Sequence, residues 1–96
     1  MSTTFNYRDD APDYLVEFLD YMKTIKNRSA LTVKNYYCDL RLFFRYLKVR
    51  KNSELQKEDF SKIKIYDTPI EYIKSVSLSD ILGFLTFTLD MRENHQ

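Results

Sequence analysis

Stretches in which apolar side chains recur every three or four positions alternate with stretches in which they do not. Tyr14, Leu15, Phe18, Leu19, Met22 and Ile25 form one such stripe, the pattern of an α-helix with one face buried. It predicts a helix from about Asp10, with Pro12 in its first turn, where a missing N–H is least costly. Asp13 and Glu17 suit that end of the helix dipole, and Lys23 and Lys26 suit the other. Asn27 and Arg28 make a short connection. Ser29 is then positioned to cap a second helix, whose Val33, Tyr36, Tyr37, Leu40, Phe43, Phe44 and Leu47 fall on one face. That helix is expected to run to Lys48 or Arg50.

Residues 51–68 are charged, with isolated Leu55, Phe60, Ile63, Ile65 and Tyr66, and read as a long linker with a local turn. Asp67-Thr68-Pro69 opens a short helix reaching Ser75, and Ser77 caps a third long helix from Leu78 to about Arg92. The last helix carries two apolar stripes, one of Ile81, Leu82, Leu85 and Leu89, the other of Phe84, Phe87 and Met91. A surface helix needs only one, so the spare stripe is expected to pack a further helix beyond this sequence, and in its absence to drive self-association or the swap of an element. Residues 1–9 are expected to be a flexible tail, residues 10–93 one domain, and residues 94–96 the start of a linker or of a further, truncated helix.

Composition supports an all-α fold of three long helices and one short one. A single glycine and two prolines in 96 residues supply too few tight turns for an all-β domain. No apolar run reaches the roughly 18 residues of a membrane span, and the polar start lacks the apolar stretch of a signal peptide. A cytoplasmic setting is therefore expected, in keeping with the lone Cys38. One Cys and one His do not make a zinc site, and no glycine-rich phosphate loop is present. No metal or cofactor is expected. His95 lies next to the last residue, and no nucleophile–base arrangement stands out, so no catalytic residue is assigned.

Net charge is only +1, but it is unevenly placed. Lys23 to Asn52 holds nine basic residues against Asp39 alone, while five acids and one base precede this block and eight acids and five bases follow it. A basic block between acidic flanks suits a polyanionic partner. Within the second helix, Lys34, Cys38, Arg41, Arg45 and Lys48 follow steps of four, three, four and three. They make a strip about 80° wide and roughly 21 Å long. Such a strip also serves simply to solvate an exposed face. The functional reading is favoured because no acid interrupts it, whereas a purely solvated face mixes signs for pairing along the helix.

The run Ser29-Ala30-Leu31-Thr32-Val33-Lys34-Asn35-Tyr36-Tyr37-Cys38-Asp39-Leu40-Arg41-Leu42-Phe43-Phe44-Arg45-Tyr46-Leu47 resembles the pattern S-x-x-T-x-x-x-Y-x-x-D-L-x-x-F-x-x-[YF]-L. That pattern marks the core-binding, SAM-like domain of tyrosine recombinases and phage integrases, the Xer-like recombinases above all. Tyr14 to Met22 and Ser77 to Leu85 look like the helices on either side, so the resemblance extends over roughly residues 12–93. It implies a small orthogonal helical bundle that closes over one side of a recombination site as half of a clamp. Double-stranded DNA and other recombinase protomers in a synaptic complex would be its partners. Carried over by position, Thr32 would meet a phosphate, and Lys34, Asn35, Cys38 and Arg41 would face DNA; Arg45 and Lys48 join them by spacing. The family's catalytic residues belong to a second domain, and no H-x-x-R occurs here. The family domain also has one further DNA-facing helix beyond the last one in this chain. A helical protein-interaction module with no nucleic-acid role is the competing reading, since fold alone does not choose between them.

Overall fold

Polar side chains at the helix starts and apolar stripes along their lengths together produce an all-α bundle. The computed structural model describes residues 6–94. Helix α1 spans Asp13–Thr24, α2 Ala30–Lys51, α3 Ile70–Lys74 and α4 Leu78–Asn94, and no strand occurs among the described residues. Pro12 is the residue before α1, so its missing N–H falls outside the helical ladder, one position earlier than the expected first turn. Ahead of it, Tyr7–Asp9 form a 3-10 turn. These residues fall within the expected tail, yet the Tyr7 hydroxyl donates to Asp20 (2.6 Å) and Arg8 pairs with the same carboxylate (2.8 Å). Residues 1–5, the remainder of that tail, and residues 95–96 at the other end lie outside the described residues.

The α1–α2 connection is made by one left-handed residue, Asn27, at φ 55°. Asparagine tolerates this conformation at a helix end, and the Arg28 N–H reaches back to the Met22 carbonyl (3.0 Å). Helix α2 then starts on Ser29, whose hydroxyl oxygen accepts from the Thr32 N–H at 3.1 Å. Helix α4 starts on a reciprocal pair: the Ser77 hydroxyl accepts from the Asp80 N–H (3.2 Å), and Asp80 accepts from the Ser77 N–H (3.0 Å).

The core lies between α1 and α2. Ala11, Leu15 and Leu19 meet Val33, Tyr37 and Phe44 there, and Leu47 is buried further along α2. Leu40 and Phe43 are half-buried, and Tyr36, at the edge of the expected apolar face, is exposed.

The segment expected to be a linker is instead part of the fold. Asn52 and Asp59 open two 3-10 turns, Ser53–Lys57 and Phe60–Lys62. The chain then runs across the end of the α1–α2 layer and buries Ile63, Ile65 and Thr68. Ile65 is fully enclosed, and the Thr68 hydroxyl donates to the Ile65 carbonyl at 2.7 Å, which meets the hydrogen-bonding need of its burial. Tyr14 closes the same corner by donating to the Thr68 carbonyl (3.0 Å). Burial pushes the Tyr14 hydroxyl pKa up to about 12, with Glu71 nearby acting in the same direction.

On its other side, α2 meets α4 through aromatic rings. Phe84 stands edge-on to Phe43 and Tyr46 (centroids 4.9 and 5.5 Å apart), and Phe87 contacts Tyr46 and Phe60 (5.4 and 5.0 Å). Gly83 permits this approach, because a Cβ there would collide with the Tyr46 hydroxyl. Arg50 of α2 reaches Asp80 of α4 at 3.1 Å.

Candidate nucleic-acid interface

The seven residues singled out on α2 do not share one environment. Toward the amino-terminal end, Lys34 and Asn35 are exposed and Thr32 is half-buried beside the cap, accepting from the Ser29 hydroxyl at 2.9 Å. Cys38 is half-buried, not exposed as its place on a cationic face suggested.

Further along the helix, the strip turns inward. Arg41 lies over the Tyr37 ring, 5.3 Å from its centroid, and faces Asp10 at 3.7 Å. Tyr37 donates its hydroxyl to the same Asp10 carboxylate. Burial first, and then this carboxylate, push the Tyr37 pKa well above the ordinary phenol value. Arg45 donates from Nε to the Ile63 carbonyl at 2.8 Å. Burial, and next the neighbouring Arg41 charge, lower the pKa of the Arg45 guanidinium. Lys48 donates from Nζ to the Lys64 carbonyl (2.7 Å) and to Asp67 (2.5 Å), and its bond holds the Asp67 carboxyl below the usual carboxylate range. Arg45 and Lys48 therefore fasten residues 63–67 to α2. The strip begins only about 20° from the apolar face, close enough for the packed segment to cover its carboxyl-terminal half.

The structure also adds a residue that spacing along one helix did not reveal. Lys23 of α1 and Lys34 of α2 line a common cleft of about 180 Å³ with Tyr7, Ala30 and Val33. The cleft sits against the first turn of α2, where backbone N–H groups give the helix end a partial positive charge. Asp20, which feels the Lys23 charge, is occupied by Tyr7 and Arg8. The Tyr7 hydrogen bond comes first among the causes that hold the Asp20 carboxyl below its ordinary range. The available sign that could have pointed to Lys23 is the basic block itself, which begins at that residue. Among the described residues no group of three or more His, Cys, Asp or Glu side chains could hold a metal ion, and no helix is long and apolar enough to cross a membrane.

Comparison with known proteins places this arrangement in a family. The model of the phage integrase N-terminal SAM-like domain matches residues 15–68, more than half of the chain. The chain belongs to this family. The family's match to this SAM-like domain begins in α1, runs through α2 and ends at the buried Thr68. The packed 53–68 segment thus lies inside the matched unit. Tyrosine recombinase XerC of Caldanaerobacter subterraneus subsp. tengcongensis is 43% identical over 83 residues, covering 86% of this chain. The chain spans 24% of the length of that relative. No solved structure matches it.

Proposed function

We propose that this chain is the double-stranded-DNA-binding module of a site-specific tyrosine recombinase. In this reading it clamps one side of the recombination site while catalytic residues elsewhere in the parent protein cut and rejoin the strands. Other recombinase protomers would complete the synaptic complex. The observation that carries the reading is the cleft where Lys23 and Lys34 converge beside the α2 cap, in a chain of this family. A backbone phosphate held there would leave Asn35, the next exposed residue, toward a groove, while Thr32 lies on the opposite side of the helix start from Lys34. Phosphate contacts of this kind position a protein, and base-edge contacts specify sequence. Arg41, Arg45 and Lys48 contribute less direct contact than their spacing suggests, since each is half-buried against the fold whereas Lys34 is exposed.

Fluorescence anisotropy with a labelled duplex at a series of salt concentrations tests this. Binding should weaken steeply as salt rises, and Lys23→Gln with Lys34→Gln should make the salt dependence shallower by about two units of slope. A duplex affinity that neither salt nor this double substitution changes would favour the protein-interaction reading instead.

A further inference from the structure

Tyr7 and Arg8, ahead of α1, both reach the Asp20 carboxylate but take its two oxygens differently. Oδ1 accepts from the Tyr7 hydroxyl (2.6 Å) and from Arg8 Nη2 (2.8 Å). Oδ2 accepts, among the described residues, from Arg8 alone, also at 2.8 Å. Asp20 stands three residues before Lys23 on α1, a spacing at which an acid and a lysine of one helix can pair. Of the groups that hold the Asp20 carboxyl below its ordinary range, the Tyr7 hydrogen bond comes first and the Lys23 charge last. The Arg8 and Asp20 side chains are 58% and 33% exposed, and a pair so open to solvent adds little to stability. Its consequence lies in its position, because Tyr7 and Lys23 both line the cleft beside α2.

We propose that Arg8 is a positioning residue for duplex binding: by closing on Asp20 it keeps that carboxylate off Lys23 and leaves the lysine charge to a backbone phosphate in the cleft. This role rests on the phosphate reading of the cleft given above. Without Arg8, the Asp20 Oδ2 opens, and Lys23, one turn along the same helix, is the cation placed to take it. An ion pair there would cancel the charge whose neutralisation of a phosphate releases a counterion. A bare carboxylate beside the cleft would also repel the phosphate itself. The turn that carries Arg8 has other anchors. The Tyr7 ring packs beside Tyr37 (centroids 6.0 Å apart), and the Tyr7 carbonyl accepts from the Asp10 and Ala11 N–H groups at 3.1 and 2.9 Å. Replacing Arg8 therefore rearranges charge and spares the fold.

Duplex binding by the 96-residue chain, followed by anisotropy against salt, tests the proposal. Arg8→Gln should weaken binding about five- to tenfold and make the salt slope shallower by about one, as Lys23→Gln does. Adding Asp20→Asn to Arg8→Gln should restore affinity and slope, whereas Asp20→Asn alone should change them little. Loss of the turn would not be rescued in this way. If Asp20→Asn strengthens binding equally with and without Arg8, the arginine is only one more positive charge; the proposal is then overturned while the cleft stands. If Lys23→Gln leaves duplex binding unchanged, the phosphate reading fails and this role fails with it. A measurement without DNA separates the two, the titration of the Asp20 carboxyl followed by carbon-13 NMR. Lys23→Gln should raise the Asp20 midpoint clearly in an Arg8→Gln background and hardly at all with Arg8 in place. Equal shifts in both backgrounds would overturn the proposal whatever the duplex shows.

Discussion

The two ends of α2 carry similar side chains and put them to different uses. Near its start, Lys34 and Asn35 stand in solvent and Lys34 shares a cleft with Lys23. Near its end, Arg45 and Lys48 are equally cationic and fall on the same strip, yet both reach back to main-chain carbonyls of the segment that crosses them. A positive charge on a helix surface acquires its role from what the rest of the chain lays against it. The second half holds the domain together, and the exposed first half is the part that the proposed function sets against a duplex.

This contrast predicts opposite outcomes for similar substitutions. The largest effect is expected at Arg45. Arg45→Glu places an acid against the Ile63 carbonyl in a half-buried site and should cost about 3 kcal/mol in urea-denaturation experiments. Arg45→Met keeps the apolar stem and should cost only about 1–2 kcal/mol. Next comes Gly83→Ala, which drives a methyl group into a Tyr46 side chain packed on Phe84 and Phe87. Over-packing at that contact should cost about 1–3 kcal/mol by the same measurement. At the other end of α2, Lys34→Gln should shift stability by less than about 0.5 kcal/mol. It should nonetheless weaken duplex binding across all sequences and make the salt slope shallower by about one. If Arg45→Met and Lys34→Gln destabilise the fold equally, the division of α2 into two halves is wrong.

The smallest effect is one of pH. Lys48 holds the Asp67 carboxyl below its ordinary value, so the ionised form is favoured in the folded state. The resulting stability is fully present above the unfolded carboxyl value of about 4 and is lost as pH falls through the lower folded value. Asp67 is more than half exposed, so solvent screening keeps the contribution small. Lys48→Met should flatten the acid limb of a stability-versus-pH curve, and an unchanged limb would show that this pair contributes nothing.

The helices were legible because their signals are local. Ser29 and Ser77 cap where a serine before an apolar run should, and Leu15, Leu19, Val33, Tyr37, Phe44 and Leu47 are buried as their spacing requires. The 53–68 segment was not legible, because two short 3-10 turns leave no period and the burial of Ile63 and Ile65 depends on a surface formed by other elements. Its one local sign was the alternation of those isoleucines with Lys64. The spacing of cations along α2 was correct as geometry. It could not reveal that main-chain carbonyls 16 and 18 residues away would meet two of them. The cleft was hidden for a related reason, since Lys23 and Lys34 belong to different helices.

The clasp formed by Arg45 and Lys48 closes on backbone oxygens of Ile63 and Lys64. Every residue type presents such an oxygen, so this part of the fastening is indifferent to spelling. Residues 56–58 can therefore be rewritten, and even lengthened, provided the chain returns its carbonyls to the same two points and keeps Asn52 and Asp59, which open the turns, and Phe60, which packs on Phe87. Doubling a flexible loop adds only about 0.6 kcal/mol of closure entropy. The connector after α2 is thus the natural place to graft a reporter peptide or a tag without loosening the bundle.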